Sequence, residues 1–257
     1  MIFIQFISQF VVVGGLVLLV RALLEHRKLS TIDKARPVTV AELAADRPPG
    51  EGLRCAVEGS AEPGTAGLMT APLSGQPCVW YQVTTREKWR TVTKDEGREI
   101  STRHDKVRGR TGSPPQFCVR DATGVAVVNF AGTDVDEPVQ SFTRTRPARS
   151  QDAELPPVPV KLDGSDKLDH EVTWREVIVP PGQSMCVLGR GARHPETGHV
   201  VLGPPDTGRF IVSTLSHDEL RTRSSALRKS RYTLGGWLFV GGATVFTLIE
   251  LLANPSS

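Results

Sequence analysis

Residues 117–130 read FCVRDATGVAVVNF, two short apolar runs on either side of Asp121-Ala122-Thr123-Gly124. Phe117–Asp121 and Val125–Phe130 are rich in β-branched and aromatic residues, and the four residues between them supply the Asp, Thr and Gly that tight connections use. The stretch predicts a β-hairpin, with Gly124 at a position needing positive φ. Working outward, the same kind of run recurs. Leu53, Cys55 and Val57 alternate with Arg54, Ala56 and Glu58 up to Gly59. Cys78–Thr84 (CVWYQVT) follows the turn-forming PLSGQP, and Glu87–Thr93 alternates around Trp89 and Val92. Val172–Val179, Met185–Leu188, His199–Leu202 and Arg209–Ser213 complete the set. Gly and Pro separate the runs and nothing repeats at a fixed period. The fold class this predicts is mainly β (α+β), a barrel-like β domain. Loops are expected at Ser101–Pro115 and at the proline-rich Thr143–Asp169.

Two helices frame the strands. Thr39 with Glu42 forms a capping box before a short helix, Val40–Ala45, stopped by Pro48-Pro49-Gly50. Ser216 with Glu219 forms another, opening a helix through Leu215, Leu220 and Leu227 toward Arg231.

Apolar stretches bracket the whole. Ile2–Val20 has no charge, and Leu234–Leu252 none until Glu250. Each reaches about 28 Å as a helix, close to the thickness of a hydrocarbon core, and neither has the polar stripe of a buried core helix. They read as transmembrane helices at 1–23 and 232–252, with a soluble domain at 36–230 between them. Arg21, Arg27, Lys28, Lys34 and Arg36 flank the first on its inner side, and Arg221, Arg223, Arg228, Lys229 and Arg231 the second, while Met1 and Ala253–Ser257 carry no Lys or Arg. Positive residues near span ends stay in the cytoplasm, so the expected protein is an integral, two-pass membrane protein with a cytoplasmic central domain.

The net charge of +3 owes much to those flanks and argues against a nucleic-acid binder. Cys55, Cys78, Cys118 and Cys186 lie far apart in apolar runs, with no C-x-x-C pair, and read as buried strand thiols. No catalytic, cofactor-binding or metal-ligating set emerges. Ser216-His217-Asp218 holds triad residue types, but consecutive residues at a helix start point in different directions, so helix capping is the better account. His194 and His199 in RHPETGH read as a turn, and His170-Glu171 lacks the second histidine of H-E-x-x-H. Residues 86–110 hold Arg86, Lys88, Arg90, Lys94, Arg98, Arg103, Lys106, Arg108 and Arg110. They read first as a solvated strand edge and loop, and second as a contact for anionic headgroups or an acidic partner.

The ordered series Gly59, Pro72-Leu73-Ser74-Gly75, Cys78-Val79-Trp80-Tyr81 and Phe117-Cys118-Val119-x-Asp121-x-Thr123-Gly124 continues with Trp174-Arg175-Glu176-Val177 and Cys186-Val187-Leu188-Gly189. It ends with Leu202-Gly203-Pro204-Pro205-x-x-Gly208-x-Phe210, then Glu219-Leu220 and the second apolar stretch. Over about residues 53–252 it resembles the GIDE, or "beside-a-membrane", domain of mitochondrial RING ubiquitin ligases of the NF-κB-activating type and of bacterial relatives. The resemblance implies a membrane-flanked domain, which in the mitochondrial ligases faces the intermembrane space. Family ligases carry a zinc-binding RING finger after the second span, and here Ala253–Ser257 holds no Cys or His. The function expected is therefore a non-catalytic module at the membrane surface, needing no cofactor. Its partners would be the lipid bilayer and a protein or small ligand there. The alternative is a RING-less component of a membrane E3 ubiquitin-ligase-type system.

Overall fold

The computed structural model describes residues 28–45, 52–95, 98–113, 116–129, 133–148 and 168–230, with isolated positions between 13 and 24 and at 233, 237 and 244. Helical residues 28–34 (α1) lead to β1 (Arg36–Pro37), α2 (Val40–Ala45) and β2 (Leu53–Glu62). A two-stranded ladder of β3 (Met69–Thr70) and β4 (Pro77–Cys78) precedes the long β5 (Trp80–Asp95) and β6 (Arg98–Gly112). The hairpin that opened the sequence reading is β7 (Gln116–Arg120) and β8 (Val125–Asn129), paired antiparallel with Phe117 opposite Val128. After them come β9 (Val135–Asp136), β10 (Val139–Pro147), β11 (Leu168–Val179), β12 (Ser184–Arg193), β13 (Val200–Gly203), β14 (Ile211–Ser213) and the helical residues 217–230 (α3).

Five strands close a barrel in the order β2-β7-β8-β13-β12, with β12 returning to pair with β2. All neighbours are antiparallel except β8 and β13, which run parallel. This connectivity is that of an OB-type Greek-key barrel. Alternation places Cys55, Val57, Phe117, Val119, Ala126, Val128, Met185, Val187, Val200 and Leu202 in one interior cluster, and α2 adds Val40 and Leu43 to it. The intervening side chains Ala56, Cys186 and Leu188 are buried too, because they meet Ile32 of α1 and Leu220 of α3 on the outside. Two covered faces explain why Met185–Leu188 in β12 reads as a continuous apolar run.

β2 runs past the expected end at Gly59 to Glu62. Gly59 lies inside the strand because a Cβ there would sit 2.3 Å from the Arg120 carbonyl oxygen. The strand crosses its neighbour too closely for any side chain. A second sheet, β10-β11-β5-β6, is built from the segments inserted between β2 and β7 and between β8 and β12. The separately expected strands Cys78–Thr84 and Glu87–Thr93 are largely one, β5, with a register shift at Thr85/Arg86.

Three expectations need correction. Most of Ser101–Pro115, read as a loop, is β6, whose side chains are nearly all exposed and so lack an apolar rhythm. Much of Thr143–Asp169 lies outside the described residues, but its start is β10 and its end opens β11. Gly124 does not have positive φ. Its hydrogen atom in place of a side chain lets α2 approach, since a Cβ would lie 3.1 Å from Val40 Cγ1.

The connection 121–124 does more than turn the chain. Asp121 Oδ1 accepts from the Thr123 and Gly124 amides and the Thr123 hydroxyl, and its Oδ2 accepts from the Val40 amide at 2.7 Å. Thr123 Oγ1 accepts from the Ala41 amide at 3.0 Å, while Thr39 and Glu42 complete the capping box reciprocally. Partial burial pushes the Asp121 carboxyl up, but the hydrogen bonds from Val40, Thr123 and Gly124 outweigh it and hold it below its usual value. A depressed carboxyl gives stability that is fully present above the unfolded value near 3.9 and is lost as pH falls through the lower folded one. The thermal midpoint is therefore expected to fall as pH drops below about 4, and Asp121→Asn is expected to flatten that dependence. Superimposable pH profiles for the two proteins would show that this cap carries no pH-dependent stability.

Most of the expected spans at 1–23 and 232–252 lies outside the described residues. Among the described residues no helix is long and apolar enough to cross a membrane.

Candidate functional site

One end of the molecule gathers the residues that flank the two apolar stretches. Ser216 and Glu219 close their capping box, amide to carboxylate at 2.8 Å and amide to hydroxyl at 3.3 Å, and so start α3 where the chain leaves β14. The hydrogen bonds from the Ser216 amide and hydroxyl hold the Glu219 carboxyl below its usual value. His217 is turned inward: its amide donates to Glu58 Oε1 at 2.5 Å and its Nε2 donates to the Ile32 carbonyl at 3.1 Å. Asp218 stands exposed. Capping and docking thus account for the Ser-His-Asp run.

α1 and α3 lie side by side on the barrel, joined by charge. Arg221 pairs with Asp33 at 2.9 Å, Lys28 with Asp136 at 2.5 Å, and Arg223 with Glu137 at 2.8 Å. Asp136 and Glu137 leave β9, so one turn reaches both helices. Glu137 adopts φ 56°, a conformation few side-chain-bearing residues take, and its carbonyl accepts from Thr214 Oγ1 at 2.6 Å. The order of contacts fixes direction: Ile32 meets His217, while Lys28 shares a small cavity with Arg223 and Leu227. The helices are antiparallel, so Lys28 and the C-terminal end of α3 stand at the same end of the pair.

Beside α1 opens a cavity of about 580 Å³ between the helix and the Thr207–Arg209 loop. Lys34, Arg54 and Arg209 supply its charge, Ser30 and Thr207 supply hydroxyls, and Leu24 lines it on the side of the first apolar stretch. Sequence reasoning missed this site. Its cations come from three distant segments, and only the fold brings them together.

Elsewhere two buried carboxylates organise the second sheet. Glu176, fully buried, accepts from the Leu73 amide at 2.6 Å, the Ser74 amide at 3.1 Å and the Ser141 hydroxyl at 2.7 Å. It therefore clamps the Pro72-Leu73-Ser74-Gly75 turn to β10 and β11. Burial, and then the Glu176 charge, push the nearby Cys78 thiol up. Glu87, also fully buried, pairs with Arg108 and lies 2.5 Å from His170 Nε2. Trp89 stacks on His104 at 4.9 Å, edges His170 at 6.3 Å and lies under the Arg108 guanidinium at 5.6 Å. Both groups hold strands to one another.

The described residues of the basic stretch 86–110 are strand, in β5 and β6, and much of their charge is spent locally. Arg86 pairs with Asp105, Arg90 with Asp169, Arg108 with Glu87 and Arg110 with Asp134. His194 and His199 close the turn between β12 and β13 through a 2.8 Å backbone bond. All four cysteines are free thiols. Burial pushes Cys55 up to about 11, and Cys118 and Cys186 are also raised, burial being the first cause. Among the described residues no group of three or more His, Cys, Asp or Glu could hold a metal ion.

A family model described as GIDE, E3 Ubiquitin ligase, matches residues 88–247, more than half of the 257-residue chain. No curated protein and no solved structure matches it.

Proposed function

The chain belongs to the GIDE (E3 ubiquitin ligase) family, and from that premise we propose that it is a two-pass membrane protein whose barrel is a non-catalytic binding module at the bilayer surface. The observation that carries this reading is the antiparallel pairing of α1 with α3, which puts Lys28 and the C-terminal end of α3, the described helix ends nearest in sequence to the two apolar stretches, at the same end of the helix pair. The described apolar side chains in those stretches support it. Val13, Leu16, Val17, Val20 and Trp237 are 48–75% exposed, a surface suited to hydrocarbon. Basic residues on both inner flanks favour a cytoplasmic barrel with both ends outside. The ionisable groups that the fold does collect, at Glu87 and Glu176, are engaged in holding strands, which supports binding over catalysis.

Topology is tested by cysteine accessibility in intact cells, made simple because three of the four native thiols are buried and Cys118 is half-buried. A cysteine introduced at Gly164 is expected to stay unlabelled by an impermeant reagent while one at Ser256 reacts. The reverse pattern would place the barrel outside, as in the mitochondrial ligases that the sequence resembles. Family membership also supports a second reading, a component of a ubiquitin-transfer system. Purified protein is expected to contain no stoichiometric zinc and to leave a charged ubiquitin-conjugating enzyme intact. One zinc per chain, lost on mutating Cys78 or Cys118, would overturn the non-catalytic reading.

A further inference from the structure

We infer that the cavity between α1 and the Thr207–Arg209 loop binds the phosphate monoester headgroup of an anionic lipid. The inference rests on the membrane-surface reading above and names the ligand of that surface.

Three cations, Lys34, Arg54 and Arg209, converge on the cavity, and among its described lining residues there is no carboxylate. The acids closest along the chain are engaged elsewhere: Asp33 pairs with Arg221 and Asp206 with Arg190. An anion entering the cavity thus meets positive charge without competition from its own walls. Donors suited to phosphate oxygens surround it. The Arg54 guanidinium is oriented by a 3.3 Å hydrogen bond from Nη2 to Thr207 Oγ1, and Ser30 adds a hydroxyl from α1.

Gly208 keeps the site open. Its φ of +95° is one that other residues rarely adopt, and a Cβ there would lie 2.7 Å from Arg54 Nη2 and 3.4 Å from Thr31 Oγ1. The absent side chain keeps the Arg54 guanidinium uncovered on the side of the Thr207–Arg209 loop. The volume of about 580 Å³ exceeds what one phosphate needs and suits a headgroup.

Position identifies a lipid as the source. Leu24 lines the cavity and is exposed, and exposed apolar residues Val20, Val17 and Leu16 precede it along the first apolar stretch. A phosphate held by Arg54 and Lys34 would leave acyl chains to follow that stretch, with basic residues at the headgroup level.

The test uses the full chain in an uncharged detergent, titrated with dioctanoyl phosphatidic acid, dioctanoyl phosphatidylcholine and inorganic phosphate. Phosphatidic acid is expected to bind saturably and more tightly than either of the others. The double variant Lys34→Gln/Arg209→Gln alters two exposed side chains, so its melting midpoint should match the parent, while its affinity for phosphatidic acid falls by about 25-fold, or about fivefold per charge. If inorganic phosphate binds as tightly as the lipid and weakens equally in the variant, the lipid assignment is overturned in favour of a soluble phosphate ester. If neither binds, or binding is unchanged in the folded double variant, the site itself is overturned. Alkaline extraction of membranes from the same cells separates this from the function reading. A chain that resists extraction but binds no phosphate refutes only the cavity, and one that is extracted yet binds phosphate refutes only the membrane anchor.

Discussion

Glu176→Ala is expected to lower the stability of the folded chain by about 3–5 kcal/mol, read as a large drop in the thermal midpoint of the detergent-solubilised protein. The parent carboxylate is fully buried and takes three hydrogen bonds, from the Leu73 amide, the Ser74 amide and the Ser141 hydroxyl. A hydrogen bond to a charged group contributes about 1.5–3 kcal/mol, and a buried donor left without an acceptor carries its full desolvation cost. Alanine removes both acceptor oxygens at once, strands three donors and leaves a void near Cys78. Glu176→Gln keeps the volume but turns an NH2 group toward one of the donors, so it should fall between the two. A Glu176→Ala protein that melts with the parent would show that the 72–75 turn is held by something else.

The second large effect is at the barrel wall. Gly59→Val is expected to abolish cooperative melting, or to cost more than about 3 kcal/mol where folding survives. The new Cβ would lie 2.3 Å from the Arg120 carbonyl oxygen, 2.7 Å from its carbon and 2.8 Å from Val119 Cγ1. Relief requires β2 and β7 to separate, and a closed barrel has no free edge along which to shift. Against a total stability of about 5–15 kcal/mol, that is a large share. Circular dichroism melts decide the matter, and a variant as stable as the parent would mean that the two strands do not cross where the structure puts them.

What the sequence made legible was local. Both capping boxes are four-residue patterns whose donors and acceptors are near neighbours, and the hairpin around 121–124 is likewise self-contained. Cys55, Val57, Phe117 and Val128 announced inward faces by alternation. β6 escaped because nearly all its side chains are exposed, and the half-buried His104 and Arg108 are themselves polar, so no apolar rhythm marks the strand. The closure of β12 on β2 was equally hidden, since Met185–Leu188 is apolar on both faces of β12 and the alternation in β2 does not reveal which neighbour it takes. Glu87 sits among polar residues and Glu176 in the mixed run Trp174-Arg175-Glu176-Val177, so neither announces a buried carboxylate; the pairing of β5 with β11, and for Glu176 the 72–75 turn, puts them under cover. Gly124 was placed correctly but for the wrong reason, since the approach of α2 from far along the chain was invisible in its neighbours. The cationic cavity needed residues 30–34, 54 and 207–209 in one place, which is a property of topology.

The seam between β2 and β12 also sets a timetable. Residues 53–62 leave the ribosome early, yet the partner that closes the barrel against them is residues 184–193, and the parallel neighbour of β8 is residues 200–203. Through most of synthesis the first barrel strand therefore has an open edge, which invites pairing with other chains. The helix that docks beside α1, residues 217–230, arrives only after those strands are made. Barrel closure and the meeting of α1 with α3 thus come as late, nearly simultaneous events, so truncation anywhere before residue 203 should yield an aggregation-prone open sheet in place of a smaller domain.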